Sequence, residues 1–182
     1  LGFPTRFSQQ AVTDDYGWTL TYDSLVNDLR KSPLLDAKLI AARWYFGELS
    51  GEDLPAIACQ ALELGRDGKN LRYLAGLSNP VRRDILEIVD GALQELGVQA
   101  PISLHDAALE MARRHAEYIL DGRIDPYAGA CRIWLSYSSG APEFERWSNM
   151  VINYEVEAES VRVDEAKLQI LQAARDLLSP GK

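Results

Sequence analysis

Few residues in this chain have the types and spacing that chemistry needs. There are two histidines, His105 and His115, and two cysteines, Cys59 and Cys131. Both histidines fall in one helical pattern, and their ten-residue offset separates them by two to three helical turns. That is too far for a shared metal ion. Neither histidine stands in a Glu-x-x-His or His-Glu-x-x-His arrangement, and no Cys-x-x-Cys pair occurs, so the usual spacings of zinc and di-iron ligands are missing. No metal, cofactor or catalytic residue is therefore assigned. His115 reads as a helix-face residue with one hydrogen-bonded nitrogen.

Nucleophilic catalysis needs a serine or cysteine beside a base. No Gly-x-Ser-x-Gly elbow is present, and Ser50, Ser78 and Ser103 are explained as helix caps. Cys131 beside His115 on a neighbouring helix is conceivable but has no motif behind it. Both cysteines are expected to be reduced core residues, since two isolated cysteines do not make a disulfide framework. The glycines of GRDGK (65–69) are too closely spaced for a phosphate loop and follow no apolar strand, so they read as a turn. No Gly-x-Gly-x-x-Gly fingerprint is present.

What remains is surface. The run RWYFGELSGEDLP (43–55) opens with an arginine and three aromatics that cannot all face one way on a helix. Trp44 and Tyr45 are the candidate contact residues there, since these types anchor protein interfaces. The formal net charge is -8. Nucleic acid is then a poor partner, because that affinity comes largely from basic side chains displacing phosphate counterions. A basic protein suits the charge better. The acids are concentrated between Glu143 and Glu165, where seven carboxylates face only Arg146 and Arg162, and Glu155, Glu157 and Glu159 are the candidate contacts in that stretch.

The elements that position these residues read as helices joined by capped turns. After an irregular segment over 1–19, a short helix is expected over 20–32, and Ser32-Pro33 opens the next, carrying Leu35, Leu39, Ala42 and Phe46. Ser50 with Asp53 forms a capping box before Leu54, Ile57, Ala58, Ala61 and Leu62, and Gly65 stops that helix. The stretch 66–77 gives a turn and one or two helical turns, after which Ser78-Asn79-Pro80 starts a helix with Ile85, Ile88, Val89, Ala92 and Leu96 inside, ended by Gly97. Ser103 with Asp106 caps the helix carrying both histidines, and Gly122 closes it. Asp125 then caps a helix led by Pro126, with Tyr127, Ala130, Cys131 and Trp134 expected on its buried stripe. Helices follow over 142–153 and 163–178, while 154–160 stays open among helix, strand and loop. The phrases at 53–65 and 84–97 are alike, but common helix grammar explains them without a repeat.

The expected fold is an all-α bundle of about eight helices in one domain over 1–182, with a more divergent acidic part over 137–182. No run approaches the ~20 apolar residues of a membrane span, and the first residues lack the apolar core of a secretory signal, so a cytoplasmic location without membrane partners is expected. The phrases LPAIACQALELGRDGKNLRYLAGL (54–77) and ILDGRIDPYAGACRIW (119–134) resemble a family of small all-helical bacterial proteins of unknown function, over roughly residues 40–136. The Asp-Pro-Tyr-x-Gly-Ala step is the most specific part. The resemblance implies a cytosolic bacterial helical protein and brings no catalytic residues. The functional expectation is a non-enzymatic interaction protein, an immunity protein or small regulator, that recognises a basic protein. The alternative is an enzyme or small-ligand binder with a pocket between helices that no short motif reveals.

Overall fold

The computed structural model describes residues 35–138, 140–158 and 162–179. The expected helix over 20–32, the Ser32-Pro33 start and Glu159 lie outside them. The elements below belong to the second of two units into which the chain divides, Asp36–Lys182. Eight α-helices and no strand occur among the described residues: α1 Ala37–Phe46, α2 Leu54–Glu63, α3 Lys69–Ala75, α4 Leu86–Glu95, α5 Leu104–Leu120, α6 Pro126–Arg132, α7 Arg146–Glu157 and α8 Val163–Leu178. The fold is an all-α bundle. Residues 154–157, which alternate like a strand, complete α7.

Local capping sets most helix ends. Ser50 and Asp53 form the reciprocal box, with the Ser50 amide and hydroxyl both donating to Asp53 Oδ2 at 2.8 Å. Ser103 Oγ accepts from the Asp106 amide at 3.0 Å. Asp125 Oδ1 accepts from the Tyr127 and Ala128 amides at 2.9 and 3.2 Å, with Pro126 at the first helical position where no amide is needed. Between α5 and α6, Gly122 takes φ 69°, which lets the Arg123 amide turn back to the Tyr118 carbonyl at 2.9 Å.

Two helix starts differ from expectation. Asp36 caps α1, its carboxylate accepting from the Leu39 amide at 3.0 Å. The α4 region begins later than Ser78-Asn79-Pro80: the chain stays irregular to Val81, makes a 3₁₀ turn over Arg82–Ile85, and becomes α-helical at Leu86. A cap-like tripeptide cannot start a helix whose first turn is held elsewhere, and Arg82 is committed to α1, as described below.

The long helix α5 packs against α1 on one side and α8 on another, α2 packs on α3 and α3 on α4, and α6, α7 and α8 contact one another. Helix α1 is buried nearly all round: Leu39, Ile40, Ala41, Ala42, Arg43 and Trp44 are all buried. A single apolar stripe describes a helix with one partner, and α1 has neighbours on several sides. Helix α6 is rotated from expectation. Its buried residues are Gly129 and Ala130, continued by Ile133 and Tyr137, while Tyr127, Cys131 and Trp134 are only half-buried. The reason is close approach to α5: a Cβ at Gly129 would sit 2.4 Å from Ile119 Cγ1, so the glycine side has to face α5. The largest fully buried side chains include Trp44, Trp147, Tyr137 and Phe144, and burial of a phenylalanine such as Phe144 contributes about 1.5–3 kcal/mol of hydrophobic stabilisation.

Candidate functional site

Two places in the bundle gather polar side chains. The first is internal. The C-terminal end of α1 supplies Arg43 and the turn after it Glu48, α5 supplies His115, and the segment after α6 supplies Tyr137. That segment, Ile133–Tyr137, is wound as a π-helix, a widened turn often found where a side chain is re-aimed. It buries the Tyr137 hydroxyl against His115 Nε2 at 2.7 Å, with the two rings stacked at 5.5 Å between centroids and Phe46 packed edge-on at 5.2 Å. The same hydroxyl is 3.5 Å from Glu48 Oε1, and Glu48 Oε2 lies 3.4 Å from Arg43 Nε.

The phenol has one proton to give, to Glu48 or to the closer His115 Nε2, and the imidazole tautomer sets which of the two it serves. The other ring nitrogen of His115, Nδ1, is buried without a partner. Burial, with the positive charges of Arg132 and Arg43 added, pushes the His115 pKa down to about 3. Burial and the neighbouring Glu48 charge raise that of Tyr137 well above the ordinary tyrosine value. Burial also raises Glu48, against the opposing pull of Arg43, Arg132 and the Tyr137 hydrogen bond. Both the histidine and the tyrosine are thus neutral and far from titrating at neutral pH, which suits a brace and not a general acid or base. Glu48, 30% exposed at its side chain, is where the network reaches solvent.

The same end of α1 also holds the residues expected as a contact surface. Trp44 is 0% exposed, so it presents nothing to a partner in this conformation. The Arg82 guanidinium lies over its ring, 3.6 Å from the centroid, and donates to the Trp44 carbonyl and to the Leu49 carbonyl, the latter at 2.8 Å. Tyr45 is half-buried and its hydroxyl donates to Asp90 of α4. Burial and that hydrogen bond raise its pKa. Trp44 and Tyr45 of this run therefore fasten α1 to the Arg82–Glu95 region, while Arg43 and Phe46 turn to the internal network. Composition alone cannot separate such an internal seam from an external one, since both favour tryptophan, tyrosine and arginine.

The cysteine expectation is corrected. Neither cysteine is in a disulfide, but Cys59 is exposed on α2 and Cys131 half-buried on α6, because Leu54, Ala58 and Ala61 take the inner side of α2 and Gly129 and Ala130 that of α6. Among the described residues no three His, Cys, Asp or Glu side chains converge where a metal ion could be held. No helix among them is long and apolar enough to cross a membrane.

The second polar place is the outer side of α7 and the start of α8. Glu143, Glu145, Glu155, Asp164 and Glu165 are exposed, and Glu157 is half-buried with Arg162 Nε 3.7 Å from its Oε2. Glu155 accepts from the Tyr127 hydroxyl at 2.6 Å, and the Tyr127 ring stacks on Tyr154 at 4.7 Å. This contact pins α6 to α7 and leaves the carboxylate at the surface. His105, also exposed, lies 3.5 Å from Glu143. Comparison with protein families, with curated proteins and with solved structures finds no match for the chain. The family resemblance of 54–77 and 119–134 accordingly stays a proposal.

Proposed function

We propose that this chain is a non-enzymatic acidic interaction protein, an immunity protein or small regulator, and that the α7–α8 hairpin is the surface on which it receives a basic protein. The supporting observation is the exposure of Glu143, Glu145, Glu155, Asp164 and Glu165 around one helical hairpin, with only Arg146 and Arg162 to offset them in that stretch. Such a patch speeds the encounter with a basic partner by long-range attraction, screened over a Debye length of about 8 Å at physiological salt. Glu155 and Glu157 are less suited to probing this than sequence suggests, since one holds Tyr127 and the other faces Arg162. Glu145 and Glu165 are better probes.

The test is capture of partners from the native host followed by association kinetics at low and physiological salt. A basic partner is expected, with an on-rate that falls as salt rises and falls again in the Glu145→Lys/Glu165→Lys variant, while the off-rate changes little. An acidic partner, or an on-rate indifferent to salt and to both reversals, refutes the reading.

The alternative, an enzyme or small-ligand binder with an inter-helical pocket, has one observation in its favour: the buried, unpartnered Nδ1 of His115, in a network that reaches solvent through Tyr137 and Glu48. Displacement of the imidazole resonances on addition of a small-molecule library would support it.

A further inference from the structure

Ile152 and Val156 stand one turn apart on α7 and are 49% and 73% exposed. They occupy the side of the helix turned away from Trp147 and Val151, which are buried. Helical spacing places Glu145 and Asn149, both exposed, along the same side. A solvent-facing helix side is where polar residues belong, and lone apolar residues there are ordinary. An i, i+4 pair is different, because residues four apart are neighbours on a helix surface and together make an apolar strip. Glu145 lies toward one end of this strip and Glu155 borders Val156 in the chain.

We infer that the strip seats an amphipathic helix of the partner, whose apolar side chains straddle Ile152 and Val156 while lysines or arginines beside them meet Glu145 and Glu155. This mode joins an apolar anchor to the acidic rim, and it rests on the preceding reading of the hairpin as a binding surface. The charges select among occupants. A second copy of the chain would bring Glu145 and Glu155 against their own like charges, and an anionic membrane surface would meet the same carboxylates. A basic helix meets neither obstacle.

The whole chain is titrated with three synthetic helical peptides: a leucine stripe flanked by lysines, the same stripe flanked by glutamates, and the lysines with serines in place of the leucines. Only the first is expected to bind well. The Ile152→Ser/Val156→Ser variant should weaken it by about tenfold or more, the loss expected for an interface anchor. Its circular dichroism and melting should stay unchanged, since neither residue belongs to the core. Equal binding of the lysine–leucine and lysine–serine peptides, unaffected by the double substitution, overturns the inference and leaves the acidic hairpin reading standing. Failure of both lysine peptides to bind sinks the two together. A dimer of the free chain, or sedimentation with phosphatidylserine vesicles, that the double substitution abolishes would overturn the basic-helix assignment in favour of those occupants.

Discussion

The bundle contains two tyrosine–glutamate contacts at different depths. Tyr127 on α6 donates to Glu155 on α7 at 2.6 Å, with the carboxylate exposed. Tyr137, one π-turn beyond α6, reaches Glu48 at 3.5 Å and His115 at 2.7 Å, with the tyrosine 1% exposed. By distance alone the outer pair is the stronger. Depth reverses the ranking. At the surface, water replaces either partner at little cost, so the pair contributes a fraction of a kcal/mol. Inside, loss of the phenol hydroxyl leaves His115 Nε2 without its partner and takes a polar neighbour from Glu48, and a buried polar group without a partner costs about 1–3 kcal/mol. The same two residue types therefore serve as a replaceable strap between neighbouring helices and as a fixed joint among α1, α5 and the π segment.

Several changes would break or sharpen that contrast. The largest effect is expected for Tyr137→Ala, which empties a fully packed site and breaks the network at once, for about 3–5 kcal/mol in urea unfolding. A smaller loss would mean that the π segment collapses onto the cavity. Next comes pH. The folded His115 pKa of about 3 lies below the ordinary 6.5, so between those values the unfolded chain takes up a proton that the folded chain refuses. Stability from this group is fully present above about pH 6.5 and declines as pH falls toward 3, at up to roughly 1.4 kcal/mol per pH unit. Glu48, raised by burial, acts in the opposite sense, since its folded form accepts a proton first as pH falls. The difference between the wild-type and His115→Gln stability curves isolates the histidine. Parallel curves would show that the imidazole is not held neutral.

Tyr137→Phe keeps the ring and removes only the hydroxyl, for about 1–3 kcal/mol. Asp125→Ala, which removes the α6 cap, is expected to cost about 1 kcal/mol by thermal melting and to leave binding intact in the folded fraction. Lost binding at an unchanged melting temperature would make Asp125 a contact residue. Tyr127→Phe closes the series at less than about 1 kcal/mol. If it matched Tyr137→Phe, depth would not be what separates the two pairs.

The helix ends were the most legible part of the chain. Ser50 with Asp53, Ser103, Asp125 with Pro126, and Gly122 all do in the structure what their types and offsets imply. The candidate surface was only half legible: the acids between Glu143 and Glu165 are largely exposed, whereas Trp44 is buried, and no local pattern announces the exposure of Ile152 and Val156. The internal network left no sequence signal beyond a histidine on a helix face. Arg43, Glu48, His115 and Tyr137 are separated by up to 94 residues and belong to no motif.

The division has a physical cause. Caps and turns are settled by hydrogen bonds that span two to five residues, so the types that make them suffice to announce them, and sequence by itself determined where most helices stop and that the fold is all-α. Which side of a helix is buried depends on what packs against it. Tertiary structure alone turned α6 onto its glycine face because Ile119 occupies the space a Cβ at Gly129 would need, surrounded α1 with neighbours on several sides, and delayed α4 while Arg82 was engaged on Trp44. It also chose which of two tyrosines would be sealed among helices and which would stay at the rim, because burial is a property of assembled surfaces, and no window of sequence contains the other half of the contact.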